Sequence, residues 1–140
     1  MELLLHILIV VLCFPQYIEA YCPLIGSNPG FSGPPVVSTI SDNVVRISWK
    51  DVVTKRECAD GFRVKYWKRG FPNSYVMSKY LDAEVNFIDL TVFPNTNYIF
   101  QAIATVDKGI LGIDYNRAPL VEFRMSDNPT TESHVNNTSG

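Results

Sequence analysis

The segment Val44-Val45-Arg46-Ile47-Ser48-Trp49 alternates large apolar side chains with polar ones. Successive side chains of a β-strand point to opposite faces, so Val45, Ile47 and Trp49 form one buried face, opposite a set that contains Arg46 and Ser48. Phe62-Arg63-Val64-Lys65-Tyr66-Trp67 repeats the device: Phe62, Val64 and Tyr66 turn inward, and Arg63, Lys65 and Trp67 outward. Strands apolar on one face must be covered by another layer. Further runs rich in β-branched and aromatic residues, separated by Gly, Pro, Asn and Asp, predict strands over 36–40, 75–80, 85–89, 98–106 and 120–125, beside those over 44–49 and 62–68. No segment sustains an apolar period of 3.6 residues, so the expectation is seven antiparallel strands and no helical layer. With 140 residues, 46% of them hydrophobic and 19% charged, the chain suffices for one packed domain.

The ends differ from this middle. Residues 1–20 hold an apolar run over 3–14, then Pro15 and the small-residue site Ile18-Glu19-Ala20, which reads as a signal peptide cleaved before Tyr21. The alternative is an uncleaved anchor, but the run is shorter than the roughly 20 apolar residues a bilayer span needs. Residues 21–33 are rich in Pro, Gly and Ser and read as a leader loop. Residues 127–140 read as a disordered, Ser/Thr/Asn-rich tail in which Asn136 and Asn137 open overlapping glycosylation patterns. No hydrophobic stretch follows, so stable membrane insertion is not expected. The expected setting is extracellular.

Removal of Glu2 and Glu19 with the signal peptide leaves twelve acids against twelve bases. A neutral chain has no whole-molecule field to attract nucleic acid, and charge-based recognition must come from a local patch. Cys13 departs with the signal peptide, leaving Cys22 and Cys58, which either pair with each other or stay free or intermolecular. The one remaining histidine, His134, lies in the tail, so no histidine-based catalytic arrangement or metal site is expected. Asp82, Glu84 and Asp89 read as solvated strand-end charges. The sequence points to no enzyme and to no cofactor.

Four features in order now carry a resemblance: Pro34-Pro35 opening the first strand, Trp49 on the second, Gly61-Phe62-Arg63-Val64-Lys65-Tyr66 on the third, and Leu90 followed by Pro94-Asn95-Thr96-Asn97-Tyr98 before a long sixth strand. Residues 34–126 resemble a fibronectin type III domain, which implies an all-β, seven-stranded antiparallel immunoglobulin-like sandwich. The resemblance implies a tyrosine corner at Tyr98, although the link from Leu90 to Pro94 is about two residues longer than usual. It also implies that Cys22 and Cys58 lie at one pole, where a bridge would add roughly 3–4 kcal/mol in the chain-entropy model. Most domains of the family lack a disulfide. The Trp-Ser-x-Trp-Ser motif of cytokine-receptor modules and an Arg-Gly-Asp tripeptide are both absent.

Two surfaces are candidates for partner binding. The connection between the sixth and seventh strands carries Ile110, Leu111, Ile113 and Tyr115 among glycines, where sandwich loops are normally polar; these residues either meet a partner or fold back on the leader. With Tyr98, Phe100, Ala102 and Ala104 inward, Ile99, Gln101 and Ile103 face outward beside Trp67, Arg63, Lys65 and Leu120. Aromatic and arginine side chains are the types that anchor interfaces. The expected function is that of a secreted module binding an extracellular protein. The alternatives are a weakly self-associating matrix component and the ectodomain fragment of a longer receptor or adhesion protein.

Overall fold

The computed structural model describes Cys22 and residues 28–125; the expected signal peptide, the tail and its two asparagines lie outside the described residues. Described strands run in the order β1 (Gly30–Phe31), β2 (Val36–Ser41), β3 (Val44–Ser48), β4 (Val53–Thr54), β5 (Gly61–Lys68), β6 (Val76–Met77), β7 (Leu81–Asp82), β8 (Phe87–Thr91), β9 (Asn97–Asp107), β10 (Ile113–Arg117) and β11 (Val121–Arg124). Short 3-10 turns are the only helical elements among the described residues.

Two antiparallel sheets face each other. The smaller has the order β2-β3-β8; the larger has the order β10-β9-β5-β6, with β11 also pairing β9 and β7 also pairing β5. Between them lie Val45, Ile47, Trp49, Phe62, Val64, Phe100, Ala102 and Ala104, all fully buried. The alternation in β3, β5 and β9 thus marks the core face as expected, although Tyr66 is only half-buried. Trp49 fills the middle: its ring lies 5.3 Å from that of Phe62 and its Nε1 donates to the Val85 carbonyl at 2.9 Å. This anchors a polar atom that would otherwise be buried unsatisfied.

At the turn before β9, Asn95 takes a left-handed φ of 54°, a conformation Asn tolerates better than other non-glycine residues. Tyr98 enters the core there, and its hydroxyl accepts the Phe93 N–H at 3.1 Å. The tyrosine corner survives the longer link. At the opposite pole Cys22 is bonded to Cys58, with Cα atoms 5.5 Å apart.

Four expectations need correction. The leader contains an element: Gly30 and Phe31 pair with Thr54 and Val53, and the Phe31 ring meets Phe62 edge-on at 6.5 Å. The fourth strand is interrupted, because Ser78 is buried and its hydroxyl accepts the Val64 N–H at 2.8 Å, taking the place of a backbone acceptor. The fifth strand begins later, since Val85 N–H closes a turn on the Asp82 carbonyl and its own carbonyl holds Trp49. The connection from the sixth to the seventh strand is largely β-structure: Ile113 and Tyr115 lie in β10, paired with Asp107 and Thr105 of β9, and only residues 108–112 form its tip.

Candidate functional site

Cross-strand register places the outward side chains of the larger sheet in rows. From the hairpin end the rows hold Asp107 with Ile113; Gly61, Thr105 and Tyr115; Arg63, Ile103 and Arg117; Lys65, Gln101 and Met77; then Trp67, Ile99 and Glu122. The predicted residues Arg63, Lys65, Trp67, Ile99, Ile103, Ile113 and Tyr115 therefore share one face. Ile110 and Leu111 stand apart at the hairpin tip.

Their environments differ. The Lys65 ammonium sits 4.1 Å from the Tyr75 ring centroid and 5.5 Å from that of Trp67, a cation–π arrangement that holds a charge between two aromatic rings at the surface. Arg63 donates through Nε and Nη2 to the Ser78 carbonyl, at 3.2 and 3.1 Å, which fixes its guanidinium over the interrupted strand. Ile103 departs from expectation: it is on the outward face and outside the core cluster, yet only 3% exposed, between Arg63 and Arg117 in register. Long basic side chains lie their aliphatic stems along apolar surface, so Ile103 is floor and not contact surface. Ile110 is 104% exposed and Leu111 70%, with Ile113, Tyr115 and Leu120 also exposed.

At the hairpin end, Gly61 leaves room for Tyr80, whose ring and hydroxyl a Cβ at that position would strike together with the Leu81 carbonyl. The Tyr80 hydroxyl lies 2.9 Å from Thr105 Oγ1, which donates to the Gly61 carbonyl at 3.1 Å. Asp60, Arg63, Tyr80, Asp107, Ile113 and Tyr115 surround a shallow cavity of about 290 Å³ here. Gly112 takes a φ of 91°, which a side chain at that position would strain, and Lys108 pairs with Asp114 to close the hairpin.

A second concavity of about 470 Å³ opens at the tyrosine-corner pole, lined by Phe71, Phe93, Tyr66, Val76 and Tyr98. Burial, and secondarily the neighbouring Tyr98, holds the Tyr66 hydroxyl above its ordinary pKa of 10.0. No sequence feature marked this cleft, because Phe71 and Phe93 come from two connections that periodicity does not describe. Tyr75, Tyr80 and Arg117 were missed for a related reason: only long-range pairing brings them to β5 and β9. Among the described residues no three His, Cys, Asp or Glu side chains converge as a metal site, and Asp89 instead pairs with Arg46 at 2.8 Å.

The two facing antiparallel sheets define a β-sandwich domain. Its architecture is that of a fibronectin type III domain. The FN1–FN3 fragment of chicken CNTN1 superposes with a TM-score of 0.55 at 17% identity, covering 69% of this chain and 32% of that one, so the chain spans about a third of that fragment's length. The FN5 domain of Drosophila Lar superposes with a TM-score of 0.52 at 18% identity, over 71% of this chain and 99% of that domain. A computationally redesigned β-sandwich protein gives 0.52 at 19% identity, over 72% and 97% of the two chains. No family model and no curated protein matches the sequence.

Proposed function

We propose that the protein is an extracellular protein-binding module whose contact surface is the outward face of the larger sheet together with the tip of the β9–β10 hairpin. The observation that carries this reading is the hairpin tip, where Ile110 and Leu111 stand exposed to solvent. An isolated apolar residue at a surface is ordinary, but a pair at a hairpin tip beside Ile113 and Tyr115, on the face that also carries Trp67 and Tyr75, has the composition of an interface core. A binding role is in keeping with the fibronectin type III-like fold, which is common in extracellular and adhesion proteins. Secretion is supported by the composition of residues 1–20 and by the disulfide, which persists in oxidising compartments.

The test has two arms. Expression in a secreting host should deliver to the medium a chain whose first residue is Tyr21; retention of residues 1–20 on secreted or membrane-bound protein contradicts the localisation. For the surface, Leu111→Asp and Trp67→Ala should leave stability within about 0.5 kcal/mol of the parent, because neither residue belongs to the core. Affinity for a partner identified by crosslinking to the parent protein should fall about 10-fold or more for at least one of them. Unchanged affinity in both places the interface elsewhere and refutes the reading.

A further inference from the structure

Four cations on this face have no carboxylate partner among the described residues. Arg46 is paired with Asp89, Arg69 with Glu122 and Lys108 with Asp114. Arg63, by contrast, donates only to a carbonyl, Lys65 meets only aromatic rings, and Arg117 and Arg124 form no ion pair among the described residues. All four share the outward face by register: Arg117 and Arg63 flank Ile103, Lys65 is one row further, and Arg124 lies opposite Asn97 at the far end. Strands are about 4.8 Å apart and same-face residues about 7 Å apart along a strand, so the four charges cover a field roughly 20 Å long, about the reach of six extended residues.

The neighbouring acids give the field a direction. Glu122 is already engaged by Arg69 and by the Asn97 amide, and Asp60 and Asp107 stand beyond the Arg63 row at the hairpin end, each already accepting a backbone N–H. Trp67 and Ile99, in the row of Glu122, and Tyr75 supply apolar surface beside Lys65.

We propose that this field receives an acidic, extended segment of a partner protein. Its carboxylates lie against Arg117, Arg63 and Lys65, and an apolar side chain of the same segment rests on Trp67 and Ile99. The inference rests on the protein-binding reading and deepens it by assigning the partner's chemistry. Two features select a peptide over a sulfated glycan: the aromatic pair beside the charges, and the stop imposed by Asp60 and Asp107, which confines a polyanion to a short run.

The test measures binding of the secreted protein to a labelled peptide of about ten residues, rich in Glu and Asp with one central Phe, a length that spans the field with a margin. Its counterpart with Gln and Asn in place of the acids, and a fully sulfated heparin oligosaccharide, serve as comparisons. The acidic peptide should bind, weaken as salt rises from roughly 50 to 200 mM, and lose about 10-fold or more in affinity in both Arg117→Glu and Lys65→Glu. Lys50→Glu, remote from the face, should leave binding unchanged, and unaltered melting temperatures show that the variants are folded. Absence of peptide binding overturns the proposal, as does equal binding of the neutral counterpart. Binding of the oligosaccharide alone overturns the choice of a protein segment. If a crosslinked partner is lost in Trp67→Ala but indifferent to both charge reversals, the protein-binding reading stands and only this inference fails.

Discussion

Trp49 and Tyr98 show how differently two aromatic residues secure one sandwich. Trp49 is wholly buried, packs on Phe62 and hands its indole N–H to Val85. Trp49→Ala should therefore remove both the transfer energy of a large side chain and the packing around the cavity it leaves, about 3–5 kcal/mol by urea denaturation. Tyr98 keeps its ring in the core but spends its hydroxyl on the Phe93 N–H at the corner. Tyr98→Phe preserves the ring, removes one acceptor and should cost about 1 kcal/mol. Equal losses in the two variants would mean that the corner hydrogen bond, and not core volume, governs the fold. A third residue-scale interaction faces solvent: the Arg46 guanidinium donates twice to Asp89 and holds its carboxyl below the ordinary value of 3.8. A depressed carboxyl pKa contributes stability that is present above the ordinary value and is lost as pH falls through the folded one. Both side chains are exposed, so the contribution is small. The stability difference between parent and Asp89→Asn should be flat near neutrality and shrink below pH 3.8; a difference that grows on acidification contradicts this.

Among the elements, β3 and β5 were legible because polar and charged residues alternate with an apolar set toward the core, and β9 because Tyr98, Phe100, Ala102 and Ala104 keep that set although Ile99 and Ile103 face outward. The same rule hid β10. In Ile113-Asp114-Tyr115-Asn116-Arg117 the apolar set faces outward, while Asp114 and Asn116 sit half-buried on the inner side, so the alternation is present with its sense reversed. Set between Gly112 and Pro119, the segment reads as a loop. Ser78 hid the break in the fourth strand, since a hydroxyl replacing a backbone acceptor leaves no mark on hydrophobic patterning. The candidate site was legible to the same depth. Alternation assigned Arg63, Lys65, Trp67, Ile99 and Ile103 to one face, but a face assignment carries no information about cover, and Ile103 proved to be floor between two arginines. Tyr80 over Gly61 and Arg117 beside Ile103 needed the register between distant strands, which no local pattern encodes.

At the scale of the whole molecule, the disulfide and the tyrosine corner secure opposite poles, with the candidate binding face between them. The bridge joins residues 36 apart and ties the leader to the connection between β4 and β5. Removing it with Cys22→Ser and Cys58→Ser together restores loop-closure entropy to the unfolded chain, worth roughly 3–4 kcal/mol. Domains of this size shift by about 4–8 °C per kcal/mol, so the melting temperature should fall by more than about 10 °C. The fold itself should persist at room temperature, because the core cluster from Val45 to Met125 does not include either cysteine. Phe31 gives the leader a second hold, through its contact with Phe62 and the pairing of β1 with β4. These two holds predict different outcomes. If the double variant melts within about 3 °C of the parent, less than 1 kcal/mol has been lost and the leader is held by Phe31. If the fall is large and Phe31→Ala adds little to it, the covalent bond is the principal constraint at that pole. In both cases the outward face of β5 and β9 should keep its affinity for the acidic peptide at low temperature, since its residues are placed by sheet pairing and not by the bridge.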